Sequence, residues 1–257
     1  MSHLLELAIR VAREAGGIAR ERFHEPRTIR TKTSEIDLVT DVDHALDRLI
    51  RERIRAVRAH DALLTEEGGA EAGSSDVRWI VDPLDGTTNY AHTFPHFAIS
   101  IGVEVEGQRA CGVVYDPMRD ELFAAEAGKG ATLNGRPIRV SEVSELRRAL
   151  LATGFAYDVH EKRTPNLTYF ERFVGRAQAI RRAGSAALDF AYVACGRFDG
   201  YWEIHLAPWD VAAGLLLVEE AGGRISDFDA GPAPASGARI VSSNGRIHAA
   251  MLEVLAD

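Results

Sequence analysis

The chain carries only two cysteines among its 257 residues, Cys111 and Cys195. Both stand in apolar surroundings, "RACGVV" and "YVACGR". They read as small buried hydrophobes in a reduced compartment, and a cytoplasmic location is expected. Lysine is scarce, with Lys32, Lys129 and Lys162 the full set, and the net charge is −8. That balance argues against a general nucleic-acid binder, which would usually show a basic stripe. A phosphate-bearing substrate would need arginine, lysine or metal ions to meet its charge. No run of about eighteen apolar residues occurs, so no membrane-spanning helix is expected. The start, "MSHLLELAIRVAREAGG", carries charges throughout its apolar stripe and reads as an amphipathic helix instead of a signal peptide. There is no internal repeat and no low-complexity tract, and "GPAPASG" at 231–237 is a loop.

Apolar residues make up 46% and charged residues 26%, which suits a soluble chain able to bury a large core. The length fits one large domain or two modest ones sharing an interface. Apolar spacing predicts a helix over 4–23 and a second in "DLVTDVDHALDRLIRERIRAV", with Thr40 as N-cap and Asp41 and Asp43 in the first turn. "RTIRTKTS", "DALLTEEGG" and "VRWIVDPLDG" read as strands, the last running into a turn. Residues 97–140 read as an antiparallel meander, with "NGRP" a hairpin signal. From about 141 strands alternate with helices: "ALLATGF", 165–177, "QAIRR", "SAALDFAYVACG", "DGYWEI", "WDVAAGLLLVEEAGG", "RISDF", "RIVSSN" and a last helix from Arg246. The expectation is an N-terminal α+β half over 1–140 and a C-terminal α/β half over 141–257.

Carboxylates follow three of the apolar segments: Glu66 and Glu67 in "LLTEEGG", Asp82 and Asp85 in "WIVDPLDGTT", and Asp210 in "APWDVAAG". Strand ends and helix starts are where α/β folds build sites. Carboxylates converging on one crevice repel unless protons or hard cations neutralise them. The set is all oxygen with no Cys/His cluster, which favours Mg²⁺ or Mn²⁺ over zinc. Two divalent ions about 4 Å apart would suit phosphoryl hydrolysis. "DGTTN" could turn its strand into a short helix whose first N–H groups bind phosphate, with a threonine hydroxyl holding a water. Taken singly, each feature is also an ordinary turn, a solvated acidic pair or a helix-start acid. "DVDHALD" begins like a calcium loop but lacks its glycine and falls on a helical pattern.

Together these motifs resemble the inositol monophosphatase family of Mg²⁺-dependent, lithium-sensitive phosphatases. The resemblance runs through "DLVTDVD", "TEEGG", "WIVDPLDGTTNYAHTFPHFAISIG", "GVVYDP", "GKGATLNG", "GSAALDFAYVACGRFDGYWEI" and "PWDVAAGLLLVEEAGG", in the family's order. "RRAGSAALDFAY" makes it look bacterial. The resemblance implies an αβαβα five-layered sandwich with the site between the two halves. It implies that Glu66, Asp82 and the Leu84 carbonyl hold a first metal, and that Asp82, Asp85 and Asp210 hold a second. A third, weaker ion would contact Glu66 through water. Asp43 and Thr87 would orient and deprotonate the attacking water, and the Gly86 and Thr87 amides would hold phosphate. Leu84, Asp85 and Asp210 would thereby also border the substrate. Gly184, Ser185, Ala186 and Glu203 would meet substrate hydroxyls.

The activity so implied is hydrolysis of a phosphate monoester by in-line attack of metal-activated water, with inositol 1-phosphate favoured by chain length and Glu203. Histidinol phosphate, fructose 1,6-bisphosphate, NADP and 3′-phosphoadenosine 5′-phosphate are the rival substrates within the family. His205 and Ala207 depart from the family's usual residues and bear on substrate preference alone. His92 and His96 are read as structural, since imidazole suits a magnesium site poorly. A homodimer is the family default. A regulatory protein that keeps the phosphatase shape is the rival of a different class, because some bacterial members work with the transcription machinery; an accessory protein partner is compatible with either.

Overall fold

The structure is a computed structural model that describes residues 1–156 and 165–256. Helix α1, His3–Glu21, opens at Ser2, whose hydroxyl accepts from Leu5 N–H. A short hairpin follows, β1 (Ile29–Thr31) with β2 (Leu38–Thr40), and leads into α2, Asp41–Val57. Thr40 caps α2 as its position predicts, accepting from Val42 and Asp43 N–H while the Asp43 side chain reaches back to Thr40. The β2 strand is not apparent in sequence, because its three residues run straight into the helix pattern.

Eight strands form the first sheet. They are β3 (Ala62–Thr65), β4 (Gly69–Glu71), β5 (Val77–Asp85), β6 (Ala98–Val105), β7 (Gln108–Asp116), β8 (Glu121–Glu126), β9 (Ala131–Leu133) and β10 (Arg136–Pro137), in the order β10-β9-β8-β7-β6-β5-β3-β4. β3 runs parallel to β5, β6 through β10 form the expected antiparallel meander, and β5 extends it by pairing antiparallel with β6. The β4 segment, "GAE", has no strand-forming residue and owes its state to pairing with β3. At the β9–β10 turn, Asn134 and Gly135 both take positive φ, as a two-residue hairpin requires.

Period-two alternation divides this sheet's two faces. Trp79, Val81, Ile99, Ile101, Val113 and Tyr115 pack against the apolar stripes of α1 and α2. Ala98, Val114 and Phe123 face the other way, onto α5 (Ala186–Ala194) and α6 (Pro208–Glu220). Helix α6 lies close to the sheet because Gly102 and Gly112 offer it no side chain. A Cβ on Gly102 would come within 2.5 Å of the Ala212 Cβ, and one on Gly112 within 2.9 Å of the Ala213 Cα. That close seat fixes the start of α6, and with it Asp210.

The second sheet has the order β12-β11-β13-β15-β14, built from β11 (Leu150–Thr153), β12 (Ala179–Arg181), β13 (Gly200–Ile204), β14 (Arg224–Ser226) and β15 (Arg239–Ser243). Its inner face, with Ala152, Tyr201 and Ile240, completes the core around α5 and α6. Its outer face carries Trp202, Val241 and Leu151 against α4 (Pro165–Val174) and α7 (His248–Ala256). The layers are therefore helix, sheet, helix, sheet, helix. Residues 186–194 are almost entirely buried, as a helix between two sheets must be. Cys111 and Cys195 are both free thiols.

Candidate active site

Residues three apart on a regular strand point to opposite faces. Asp82 and Asp85 do not, because β5 bulges between them: Asp82 opposes Ser100 while Asp85 opposes Ala98. Three steps on β5 thus match two on β6, and the extra residue turns both carboxylates toward the α5–α6 layer. The sequence suggests a turn here; the chain instead stays in strand through Asp85 and changes direction at Gly86. Asp210 enters from the first turn of α6. One carboxylate oxygen from each of Asp82, Asp85 and Asp210 lies within 4.8 Å of the others.

Each carboxylate is oriented by backbone donors. Leu84 N–H donates to Asp82 Oδ1 at 3.0 Å, and Ala207 N–H donates to Asp210 Oδ2 at 2.7 Å. Asp85 lies across the start of α5. It accepts from Ala187 N–H at 2.8 Å and Ala186 N–H at 3.3 Å, and from the hydroxyl of Ser185, the N-cap of α5. These donors only partly offset the loss of water. Burial, then the charges of Glu66, Asp85 and Asp210, hold the Asp82 carboxyl well above the ordinary range. Burial does the same to Asp210, and it raises Asp85 to about 6 against the pull of its hydrogen bonds. Among the described residues, six aspartates elsewhere pair with arginine: Asp41, Asp47, Asp61, Asp116, Asp120 and Asp229. Among the described residues none of these three does. Buried oxygen ligands without a cationic partner fit a hard divalent cation.

Glu66 follows β3, and the parallel register of Thr65 with Val81 brings it beside Asp82. Its side chain lies outside the three-aspartate cluster and accepts from Lys32 Nζ at 2.7 Å. Lys32 also pairs with Glu67. Burial would lower the Lys32 ammonium, but the charges and hydrogen bonds of Glu66 and Glu67 outweigh it and hold the group above its usual value. Burial raises Glu66, opposed by Lys32. Composition marks Lys32 as a rarity, and nothing in its local pattern marks it as a neighbour of Glu66.

Across the cluster, Thr87 Oγ1 lies 2.7 Å from Asp43 Oδ1 and 3.1 Å from the Leu84 carbonyl oxygen, either of which can accept its proton. The Leu84 side chain is buried in the core, so only its backbone faces this network. Asp43 is fully buried, and Thr40 N–H donates to its Oδ2 at 2.9 Å. Burial raises the Asp43 carboxyl, and its bonds to Thr40 and Thr87 oppose the rise. Gly86 precedes the short helix α3, Thr87–Ala91, with φ 99° and ψ 34°. A Cβ there would approach the His96 carbonyl oxygen to 3.0 Å and that of Gly184 to 3.3 Å. Glycine is required on both counts.

The three aspartates, Glu66, Lys32, Leu84, Gly86 and Thr87 border one cleft of about 580 Å³, and Asp43 lies behind Thr87, outside its lining. The cleft's other end is lined by Gly184, Ser185, Ala186, Arg182, Asp189 and Glu203. Tyr201 OH donates to Glu203 Oε2 at 2.5 Å, and burial raises Glu203 to about 7. His205 is exposed at the rim with φ 63°, and Ala207 lies beside it. His92 is exposed and His96 buried, and neither joins the acidic cluster. Arg182, Asp189 and Thr40 complete the surroundings of the site, and sequence reasoning does not single them out as site residues. For Asp189 the only signal is an acid inside an apolar helix pattern.

A five-layered fold with a buried carboxylate cluster, an Asp–Thr pair and a polar cleft suits metal-assisted hydrolysis of a phosphate ester. The model of the inositol monophosphatase family matches residues 1–257, and this chain belongs to that family. It is 43% identical over 259 residues to the Escherichia coli protein named Nus factor SuhB, covering 100% of this chain and 97% of that one. It is 43% identical over 254 residues to the inositol-1-monophosphatase of Synechocystis, covering 98% and 88%. The crystal structure of the extragenic suppressor protein suhB from Bartonella henselae superposes with a TM-score of 0.93 at 36% identity, covering 99% and 98%. No helix among the described residues is long and apolar enough to cross a membrane.

Proposed function

We propose that the chain hydrolyses inositol 1-phosphate in a Mg²⁺-dependent reaction, by direct attack of water on phosphorus. The observation that carries this reading is the meeting of Asp82, Asp85 and Asp210 within 4.8 Å, in a cleft that also presents Thr87 hydrogen-bonded to Asp43. Asp82, Asp85 and Asp210 would hold Mg²⁺, and Glu66 and the Leu84 carbonyl would join them; Mn²⁺ would serve in its place. Bound there, two or three such ions would supply charge neutralisation for the phosphate and the leaving oxygen and would acidify water.

The chain's own residues supply position and proton transfer. Thr87 Oγ1 gives its hydrogen to Asp43 Oδ1 and so presents lone pairs to the cleft. A water there would donate to Thr87 Oγ1. As its oxygen bonds to phosphorus, its proton would pass to Oγ1 and the Thr87 proton to Asp43. The P–O bond to the alcohol breaks with its electron pair on the alcohol oxygen, which would take a proton from solvent water, and phosphate leaves without a phosphoenzyme. Burial makes Asp43 a stronger base than an exposed aspartate. The Gly86 and Thr87 amides would orient the phosphoryl group. Gly184, Ser185, Ala186 and Glu203 would receive the polyol hydroxyls, and the Synechocystis relative's name supports inositol as that polyol.

Rates on myo-inositol 1-phosphate, histidinol phosphate and fructose 1,6-bisphosphate, with and without Mg²⁺, test this reading. The first should give the highest kcat/KM and should depend on the metal; a preference for either rival would replace the substrate, and metal-independent turnover would remove the mechanism. The name Nus factor SuhB, borne by relatives 43% identical, favours a second, protein-binding role beside catalysis. A pull-down with the Asp82→Asn chain as bait separates that role from turnover. A homodimer is the assembly proposed for either role.

A further inference from the structure

Asp189 is a buried acid at the alcohol end of the cleft. It is 1% exposed, and its Oδ1 has no hydrogen-bond partner among the described residues. It lines the cleft with Glu203, Arg182 and Ala186. Its place follows from the helix that carries it. Ser185 caps α5, and Asp189 N–H donates to the Ser185 carbonyl oxygen at 3.0 Å. Four residues after Ser185, Asp189 falls on the same helix face, one turn below the Gly184–Ala186 backbone. The first turn of α5 thus holds Asp85 on its amides and sets a second carboxyl just behind them.

Around Asp189 the charges are unbalanced. Burial, then the like charges of Glu203 and Asp85, hold its carboxyl well above the ordinary range, and Arg182 opposes the rise. Glu203 is fixed in place: Tyr201 OH takes Oε2, and a Cβ on Gly154 would strike its carboxylate at 2.2–2.4 Å. No described residue donates to Glu203 Oε1. The alcohol end therefore presents two carboxyl groups with unclaimed oxygens on two different elements, β13 and α5. Buried polar atoms in folded proteins are nearly always satisfied, so an orphan beside a cleft points to what the cleft receives.

We infer that Asp189 is a specificity-determining residue, which with Glu203 selects a neutral, hydroxyl-bearing leaving group and disfavours one that carries a second phosphate. The inference rests on the phosphatase reading above and deepens it. Vicinal hydroxyls donate to the two carboxyl groups, directly or through one ordered water. A second phosphate brings only acceptors and negative charge to the same place, where Arg182 is its single attraction.

The experiment compares wild type with Asp189→Asn, which keeps the shape and turns one accepting oxygen into a donating amide, on myo-inositol 1-phosphate, fructose 1,6-bisphosphate and p-nitrophenyl phosphate in Mg²⁺. The variant should raise KM for inositol 1-phosphate roughly tenfold with kcat nearly kept, the size of one hydrogen bond lost. The ratio of kcat/KM for the bisphosphate over inositol 1-phosphate should rise roughly tenfold or more. Loss on p-nitrophenyl phosphate, which has no hydroxyl, should be smaller than on inositol 1-phosphate. Equal losses on all three substrates, or an unchanged ratio, would overturn the assignment. If Asp189→Asn does not fold, Arg182→Gln at the exposed partner reads the same balance and should lower the bisphosphate ratio; an unchanged ratio there would also overturn it. Failure of the wild type to hydrolyse inositol 1-phosphate would count against the proposed substrate, whereas the variant-to-wild-type ratios judge Asp189.

Discussion

Asparagine at position 82 should make the metal-free protein more stable while ending its response to Mg²⁺. Asp82 lies within 4.8 Å of both Asp85 and Asp210. At that distance, with an effective dielectric of about 20, each ionised pair repels by about 3 kcal/mol. Proton uptake relieves most of this, since all three carboxyls are raised by burial, which leaves a net gain of about 1–3 kcal/mol on removing one charge. For a chain of this size that is a rise in metal-free Tm of about 2–10 °C. Wild type at a hundred times the Mg²⁺ Kd should gain about 2.7 kcal/mol, and Asp82→Asn should gain little. Scanning calorimetry in EDTA and in Mg²⁺, beside phosphate release, reads all of this. A variant less stable than wild type in EDTA, yet equally stabilised and turned over in Mg²⁺, would refute the reasoning.

Thr87→Ala should cut kcat roughly a hundredfold while KM holds, and Thr87→Ser should restore most of it, because the hydroxyl is what Asp43 orients; steady-state kinetics that show no loss in the alanine variant remove Thr87 from proton transfer. Gly86→Ala forces an L side chain to φ 99° against the His96 carbonyl, so Tm should drop by a few degrees, reflecting roughly 1–2 kcal/mol, and kcat should fall with it. His248 is buried between Ser226 and Ser243, with its Nε2 and Nδ1 at 3.0 and 2.9 Å from their hydroxyls. Burial, then Arg224, lowers its pKa from 6.5 to about 4. Between those pH values the unfolded chain binds a proton that the folded chain refuses, so this contribution to stability is full above about 6.5 and is lost as pH falls toward 4. The Tm gap between wild type and His248→Gln should therefore shrink from pH 7 to pH 4.5; parallel curves would sink the assignment.

Elements with long, regular patterns are legible in the amino-acid sequence. Thr40 capping α2, the meander through the Asn134-Gly135 turn, and the strand–helix alternation after 141 all follow from local rules. The motifs also point to a meeting of Asp82, Asp85 and Asp210, but not to its means. Asp-Pro and Asp-Gly advertise a turn, and only pairing with β6 converts Asp82–Asp85 into a bulged strand that aims both carboxylates one way. Lys32 reaches Glu66 across 34 residues, and Asp189 shares its cleft with Glu203 from another element. Such partnerships depend on how layers stack, and no local pattern carries them.

Diffraction from crystals soaked in Mn²⁺, recorded at the manganese edge, tests the central claim most directly. The account predicts anomalous density bounded by the carboxylates of Asp82, Asp85 and Asp210, with Glu66 released from Lys32 to join it. Full Mn²⁺-supported turnover by the same protein, with no anomalous density at these residues, would contradict it.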